Sequence, residues 1–132
     1  MEISSTLQDQ FANAIITAVG ATGFARFYTT GLASLLASAP CNNPIAPAAA
    51  TGLITLDVTP AVEDTSPAAA GTCVRLGFYT STAASSGAYV FLLGVNTTGT
   101  PDVTMSNNVI ATTDTVQISS LTIQVPTGSP TV

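Results

Sequence analysis

Seven carboxylates and two cysteines are the side chains of this 132-residue chain best suited to catalysis or metal binding, and histidine is absent. A glycosidase needs two carboxylates that face each other across a cleft. The carboxylates here are scattered: Glu2, Asp9, Asp57, Glu63, Asp64, Asp102 and Asp114. Only Glu63 and Asp64 are adjacent, in a predicted loop, where neighbouring acids are usually solvated. We therefore expect no enzyme, and no catalytic, cofactor-binding or metal-binding residue.

The missing histidine also removes the usual general base, the histidine-dependent triads and histidine metal sites. The chain contains no G-x-S-x-G nucleophile elbow and no P-loop. We expect no cofactor.

Cys41 and Cys73 are the only cysteines, and they fit no CxxC metal or redox motif. The first interpretation is two free thiols that are buried or partly exposed. The alternative is a single disulfide, which would need an oxidising compartment.

The charged residues are few, and the balance is acidic. Arg26 and Arg75 are the only basic side chains, and the formal net charge is −5. Nucleic-acid binding and binding to anionic membranes both depend on clustered Lys and Arg, so we expect neither partner. Charged residues make up 7% of the chain, against about 25% in ordinary soluble domains. Such a neutral surface favours coverage by neighbouring subunits, although threonine-rich β proteins can also be soluble monomers.

Residues 4–19 have the periodicity of an amphipathic helix. Apolar side chains recur every four residues at Leu7, Phe11, Ile15 and Val19, with Ala14 and Ala18 beside them. Ser5 with Gln8, or Thr6 with Asp9, resembles a capping box, and Gly20 ends the helix. The polar face carries Gln10, Asn13 and Thr17. Two interpretations stay open: a helix packed on the sheet, or an arm that packs against a partner subunit.

The rest of the chain predicts strands at 24–30, 52–59, 72–80, 88–95, 102–105 and 115–125. Residues 31–52 are predicted to be mostly loop, with a short helix or a broken strand as alternatives at 32–37, and 61–71 is a second loop. The last strand is the longest, and we expect it to be central. The alternation of inward-facing residues moves by one position at Ser119–Ser120, which predicts a bulge or bend between two apolar sets. Those sets are Val116 and Ile118, then Leu121, Ile123 and Val125.

The fold class that follows is mainly β: a small antiparallel β-sandwich or barrel with one N-terminal α-helix. We predict an N-terminal helix or arm at 1–20, a single β-rich domain at 21–126 and a flexible tail at 127–132. No basic segment precedes an apolar run at the N-terminus, so we expect no secretory signal.

Two strands carry more detailed expectations. In 72–80, Val74, Leu76 and Phe78 should face inward and Arg75, Gly77 and Tyr79 outward. The strand at 88–95 is evenly apolar, which predicts burial on both faces. A glycan-binding surface would need exposed aromatic side chains near a loop tip, and Tyr79 and Tyr89 are the candidates.

The order of motifs resembles a family of small tailed-bacteriophage virion structural proteins. The match begins with the helix sequence at 11–16, followed by Arg-Phe-Tyr-Thr at 26–29 and a proline-rich loop leading to 50–56. Ala-Gly-Thr at 70–72, the strand containing Arg75 and the closing segment 116–123 complete it. The resemblance spans about residues 7–125. The chain departs from the family at Thr113-Asp114-Thr115, where a Gly-Gln turn is common, and at its two cysteines.

This resemblance implies a virion structural protein without enzymatic activity. We expect a capsid decoration or cement protein that binds across subunits of the major capsid protein, as a trimer or dimer, in a virion assembled in the bacterial host cytoplasm. The alternatives are a tail, neck or fibre-associated virion protein and a host-glycan-binding module.

Overall fold

The computed structural model describes residues 2–99, 102–105 and 107–125. The tail predicted at 127–132 lies outside these residues, as does residue 126. The elements are α1 (Ser5–Val19), β1 (Phe24–Tyr28), β2 (Leu35–Pro40), β3 (Leu53–Thr55), β4 (Val62–Asp64), β5 (Gly71–Thr72), β6 (Arg75–Tyr79), β7 (Phe91–Asn96), β8 (Val103–Thr104), β9 (Val109–Ile110), β10 (Val116–Ile118) and β11 (Thr122–Gln124). The prediction of a mainly β fold with one N-terminal helix is confirmed.

The N-terminal cap of α1 lies one residue before the first predicted capping box and two before the second. The cap is Ser4, whose backbone is extended and whose Oγ accepts a hydrogen bond from the Leu7 amide at 3.2 Å. That bond satisfies one of the amides that the first helical turn leaves unpaired. Gly20 ends the helix with φ at +79°, a conformation that glycine adopts without the steric cost of a side chain.

The helix packs on the domain with only part of the predicted apolar stripe. Its buried residues are Gln8, Ala12 and Val19. Leu7 and Phe11, which belong to the same stripe as Val19, are 37% and 50% exposed. Hydrogen bonds hold this orientation, because two side chains of the helix bind the chain between the proline-rich loop and β3. The Asp9 carboxylate accepts a bond from the Gly52 amide, and Asn13 Oδ1 accepts one from the Ala49 amide at 2.9 Å.

The largest sheet has the strand order β2-β1-β6-β7-β8, in which the first four strands are antiparallel and β8 runs parallel to β7. Its inner face buries Ala25, Phe27, Leu76 and Phe78. Leu76 and Phe78 are the side chains predicted to face inward in the strand at 72–80. The Phe78 ring stacks on the Phe91 ring of β7 with centroids 4.6 Å apart. The outer face carries Phe24, Arg26 and Tyr28 opposite Tyr79, Gly77 and Arg75.

The prediction of one long central strand at 115–125 is wrong. This stretch contains two short strands in different ladders, β10 paired with β4 and β11 paired with β3, and neither lies in the five-stranded sheet. The predicted change of phase at Ser119–Ser120 is present: Val116, Ile118, Leu121 and Val125 are all buried. The two serines therefore mark a break that moves the chain from one ladder to the next, rather than a bulge within one strand.

Two predicted loops contain strands. β2 lies within 31–52 and pairs with β1, placing Ala37 opposite Phe27 and Ala39 opposite Ala25. Alanine is a poor strand former, but here its small side chain fits the buried face beside larger neighbours. β4 lies within 61–71, where the adjacent acids Glu63 and Asp64 led to the prediction of a loop. The Asp64 carboxylate accepts hydrogen bonds from the Ser38 and Ser66 amides at 2.8 and 2.9 Å.

The strand predicted at 88–95 begins later, at Phe91, and is not buried on both faces. Leu93 and Val95 are buried, whereas Leu92 and Gly94 on the other face are partly exposed. One apolar cluster joins the inner face of the large sheet to the two ladders β10-β4 and β11-β3 and to Ala12 and Val19 of α1. The strands form open sheets, with no closed barrel among the described residues. No described helix is long and apolar enough to cross a bilayer.

Candidate interaction surfaces

All five aspartates of the chain are engaged in backbone hydrogen bonds. Each accepts a bond from at least one main-chain amide of another residue: Asp9 from Gly52, Asp57 from Thr59, Asp64 from Ser38 and Ser66, Asp102 from Gly94 and Asp114 from Ala111. These carboxylates hold turns and strand edges. Within residues 2–99, 102–105 and 107–125, no group of three or more Cys, Asp or Glu side chains could hold a metal ion.

Arg26 lies against aromatic rings on the outer face of the large sheet. Its guanidinium carbon is 4.8 Å from the centroid of the Tyr79 ring and 5.7 Å from that of Phe24, distances typical of cation–π contacts. Its Nη1 donates a long hydrogen bond of 3.3 Å to the Ala83 carbonyl. Arg75 is exposed on the neighbouring strand, where its Nη1 donates to the Val74 carbonyl at 2.9 Å. The two arginines thus lie on adjacent strands of one sheet.

The candidate glycan-binding pair is not formed. Tyr79 was predicted to be exposed, but it is fully buried, and its hydroxyl donates to the Ser86 carbonyl at 2.7 Å. Burial raises the pKa of Tyr79 above the usual range of a tyrosine. Its side chain is on the outer face of the sheet, as predicted, but the segment after β6 folds back over it. Tyr89 is 43% exposed, so a single aromatic ring of the pair reaches solvent.

A cleft of about 180 Å³ opens where β10 gives way to β11. Its lining includes the apolar side chains of Phe27 and Leu76 and the hydroxyls of Thr104, Ser119 and Ser120. No described residue that lines it is ionisable, so these hydroxyls have no general base among the lining residues.

Cys41 and Cys73 are free thiols, which agrees with the first of the two interpretations from the sequence. Burial raises the pKa of the Cys41 thiol to about 11, and a backbone hydrogen bond near Ala25 offsets part of that rise. Burial likewise raises the pKa of Cys73. Because the thiolate is the reactive form, both cysteines should be inert near neutral pH.

We predict that Cys41 reacts slowly with iodoacetamide at pH 8. A rise in pKa from 9 to about 11 lowers the thiolate fraction, and hence the alkylation rate, about 100-fold relative to the unfolded chain. Peptide mass spectrometry after timed labelling, with and without denaturant, measures this ratio at each cysteine. Equal rates in the folded and unfolded protein would contradict the burial of the thiol.

The outer face of α1 is an apolar surface that the described residues leave uncovered. Leu7, Phe11, Ala14 and Ala18 are all exposed and follow one another at intervals of four, three and four residues. This spacing places them on one stripe of the helix, as in the seam of a coiled coil. Gln10 and Thr17 border the stripe, and no charged side chain lies on it, since Asp9 faces the domain.

The remaining large exposed hydrophobic side chains are dispersed over other parts of the surface. Leu53 lies on β3, Tyr89 precedes β7 and Val109 lies on β9, with exposures between 38% and 56%. The sequence analysis missed Leu53 and Val109 because each lies in a short strand whose apolar residues cannot all face the core. The exposed side chains of α1 belong to the apolar stripe that the sequence identifies, but the periodicity alone did not decide whether that stripe meets the sheet or a partner.

Comparisons of the chain with protein-family models, with curated proteins and with solved structures give no match.

Proposed function

We propose that this protein is a virion structural protein of a tailed bacteriophage, and that it acts as a capsid decoration or cement protein. The observation that carries the proposal is a surface with few charged groups that exposes large apolar side chains in several separate places. All five aspartates bind the protein's own backbone, which leaves Glu2 and Glu63 as the other acids. The order of sequence motifs resembles the same family of virion proteins.

A decoration protein needs several modest contacts rather than one deep site. Leu53, Tyr89 and Val109 are exposed at different places in the chain and in different elements. Contacts of this kind, each weak, sum to a strong attachment when one molecule touches several subunits at once. The proposed partner is the major capsid protein, and the proposed location is the virion. With two arginines in the whole chain, we propose no nucleic-acid partner and no membrane partner.

The buried position of Tyr79 favours this proposal over a glycan-binding module, because the candidate aromatic pair is reduced to Tyr89. The absence of ionisable groups among the described residues of the cleft beside β10 supports a structural role rather than a catalytic one. A position in the tail or neck is the other virion assignment, and copy number separates it from the capsid.

We predict that purified particles contain this protein in a simple ratio to the major capsid protein, such as one to one or one to three. Closed symmetry around capsid subunits imposes such ratios on a decoration protein. Quantitative mass spectrometry with labelled standard peptides measures the ratio. A handful to a few dozen copies per particle would assign the protein to the tail or neck, and absence from particles would overturn the virion proposal.

The same particles allow a test of the surface. Leu53→Ser, Tyr89→Ser and Val109→Ser each remove an exposed apolar group without opening the core, and Thr55→Ser on an exposed position of β3 is the control. At least one of the three should lower occupancy on particles that lack the native protein, while the control loads fully. Full loading of all three would show that these side chains make no contact in the particle.

A further inference from the structure

The outer face of α1 has a shape that complements a second copy of itself. Large side chains, Leu7 and Phe11, occupy its N-terminal half, and small ones, Ala14 and Ala18, occupy its C-terminal half. All four are exposed, and Phe11 is the most exposed large side chain of the helix at 50%. An antiparallel partner helix would bring the large half of each copy against the small half of the other.

The residue numbers fix the register of such a pair. In an antiparallel pair related by a twofold axis between residues 12 and 13, Leu7 of one copy meets Ala18 of the other. Phe11 then meets Ala14, and each contact occurs twice, as an isologous interface requires. A phenylalanine ring set against alanine lets two helices approach closely while the ring fills the space left by the small side chain.

The charges of the protein leave the outer face of α1 open to a second copy. The chain carries a net charge of −5, so two copies repel each other over most of their surfaces. The stripe and its borders, Gln10 and Thr17, are uncharged, and Asp9 is turned inward to the Gly52 amide. The outer face of α1 is therefore a surface on which two copies can meet without juxtaposing like charges. An antiparallel arrangement also places the positive end of each helix dipole beside the negative end of the other.

We propose that the protein forms a twofold dimer through antiparallel pairing of the outer faces of α1. The proposal goes beyond the virion function and does not depend on it, since the dimer forms in solution from the protein alone. The helix has 15 residues and a length of about 22 Å. Two such faces are too short to bury the area of a standard interface, so we expect a weak, transient dimer with a dissociation constant on the order of 10 µM or above.

Sedimentation equilibrium of the full chain between about 1 and 500 µM should show a monomer–dimer equilibrium in this range. Phe11→Asp should weaken the dimer at least tenfold by burying a charge at the centre of the interface. The thermal midpoint of the diluted variant should match that of the native monomer, because Phe11 is exposed in the monomer.

Exchange of the two central side chains tests the register. Ala14→Phe alone sets two rings against each other and should weaken the dimer about tenfold or more. The double variant Phe11→Ala/Ala14→Phe restores one ring against one alanine and should recover the native dissociation constant to within about threefold. A protein that is monomeric at every concentration would overturn the proposal, as would a dimer that Phe11→Asp does not weaken. A double variant no better than Ala14→Phe would overturn the antiparallel pairing.

Discussion

Ile54→Asp should unfold the protein, whereas Leu53→Asp, one residue earlier, should leave it folded. Ile54 is fully buried in the middle of β3, directly opposite Ile123 of β11. An aspartate at this position would be an uncompensated buried charge, and removing such a group from water costs about 3–5 kcal/mol. That cost is a large part of the 5–15 kcal/mol that stabilises an ordinary domain.

Leu53 provides a matched control, because successive strand side chains point to opposite faces. Its side chain is 38% exposed, so the same substitution leaves the carboxylate in contact with water. We expect a cost of no more than about 1 kcal/mol, the range of strand propensities. Urea titration followed by circular dichroism gives both values. A lower midpoint for Leu53→Asp than for Ile54→Asp would mean that β3 faces the core with the other phase, and similar midpoints would mean that neither face of β3 is preferentially buried.

The phase of the apolar residues was predictable from the sequence, but the pairing of the strands was not. Val116, Ile118, Leu121 and Val125 are buried as the alternation predicts, because each side chain's face depends only on its neighbours in the chain. Whether 115–125 forms one strand or two depends on partners some 50 or 70 residues earlier. Those partners are Val62–Asp64 and Leu53–Thr55, and nothing local to 115–125 encodes them.

The orientation of α1 and the burial of Tyr79 have the same physical cause. In both places a hydrogen bond to a main-chain group outside the element decides which surface is covered. Asp9 and Asn13 hold one side of α1 against the domain. The segment after β6 covers Tyr79, and the Ser86 carbonyl accepts a hydrogen bond from its hydroxyl. A sequence pattern ranks the faces of an element by hydrophobicity, but it does not identify the backbone group that will bind a given carboxylate, amide or hydroxyl.

Gly77→Ala should destabilise the protein by about 1–3 kcal/mol, the usual cost of adding a methyl group to a closely packed site. A Cβ at position 77 would lie 2.6 Å from Cε2 and 3.0 Å from the hydroxyl oxygen of Tyr79. The ring cannot easily move away, because its hydroxyl binds the Ser86 carbonyl and the Arg26 guanidinium lies on the ring. Gly77 does not have a left-handed φ, so glycine is required here for space and not for its backbone conformation.

Gly94→Ala is the matched control for this prediction. Gly94 lies on the same face of the same sheet, on the neighbouring strand β7 and opposite Arg75. A Cβ there would come no closer than 3.6 Å to any atom, an ordinary contact distance. Because alanine loses less conformational entropy on folding than glycine, Gly94→Ala should be neutral or stabilising by up to about 1 kcal/mol. In chemical denaturation, the midpoint should therefore fall for Gly77→Ala and stay the same or rise for Gly94→Ala.

A double variant identifies Tyr79 as the group with which the new methyl collides. Tyr79→Leu by itself costs stability, because it removes a buried ring and leaves the Ser86 carbonyl without its donor. If the collision is with the ring, the methyl at position 77 costs little once the ring is gone. The loss of stability in Gly77→Ala/Tyr79→Leu should then be smaller than the sum of the two single losses by about 1 kcal/mol or more. Strict additivity would mean that the cost of Gly77→Ala arises in the backbone of β6 and not in the packing of Tyr79 over it.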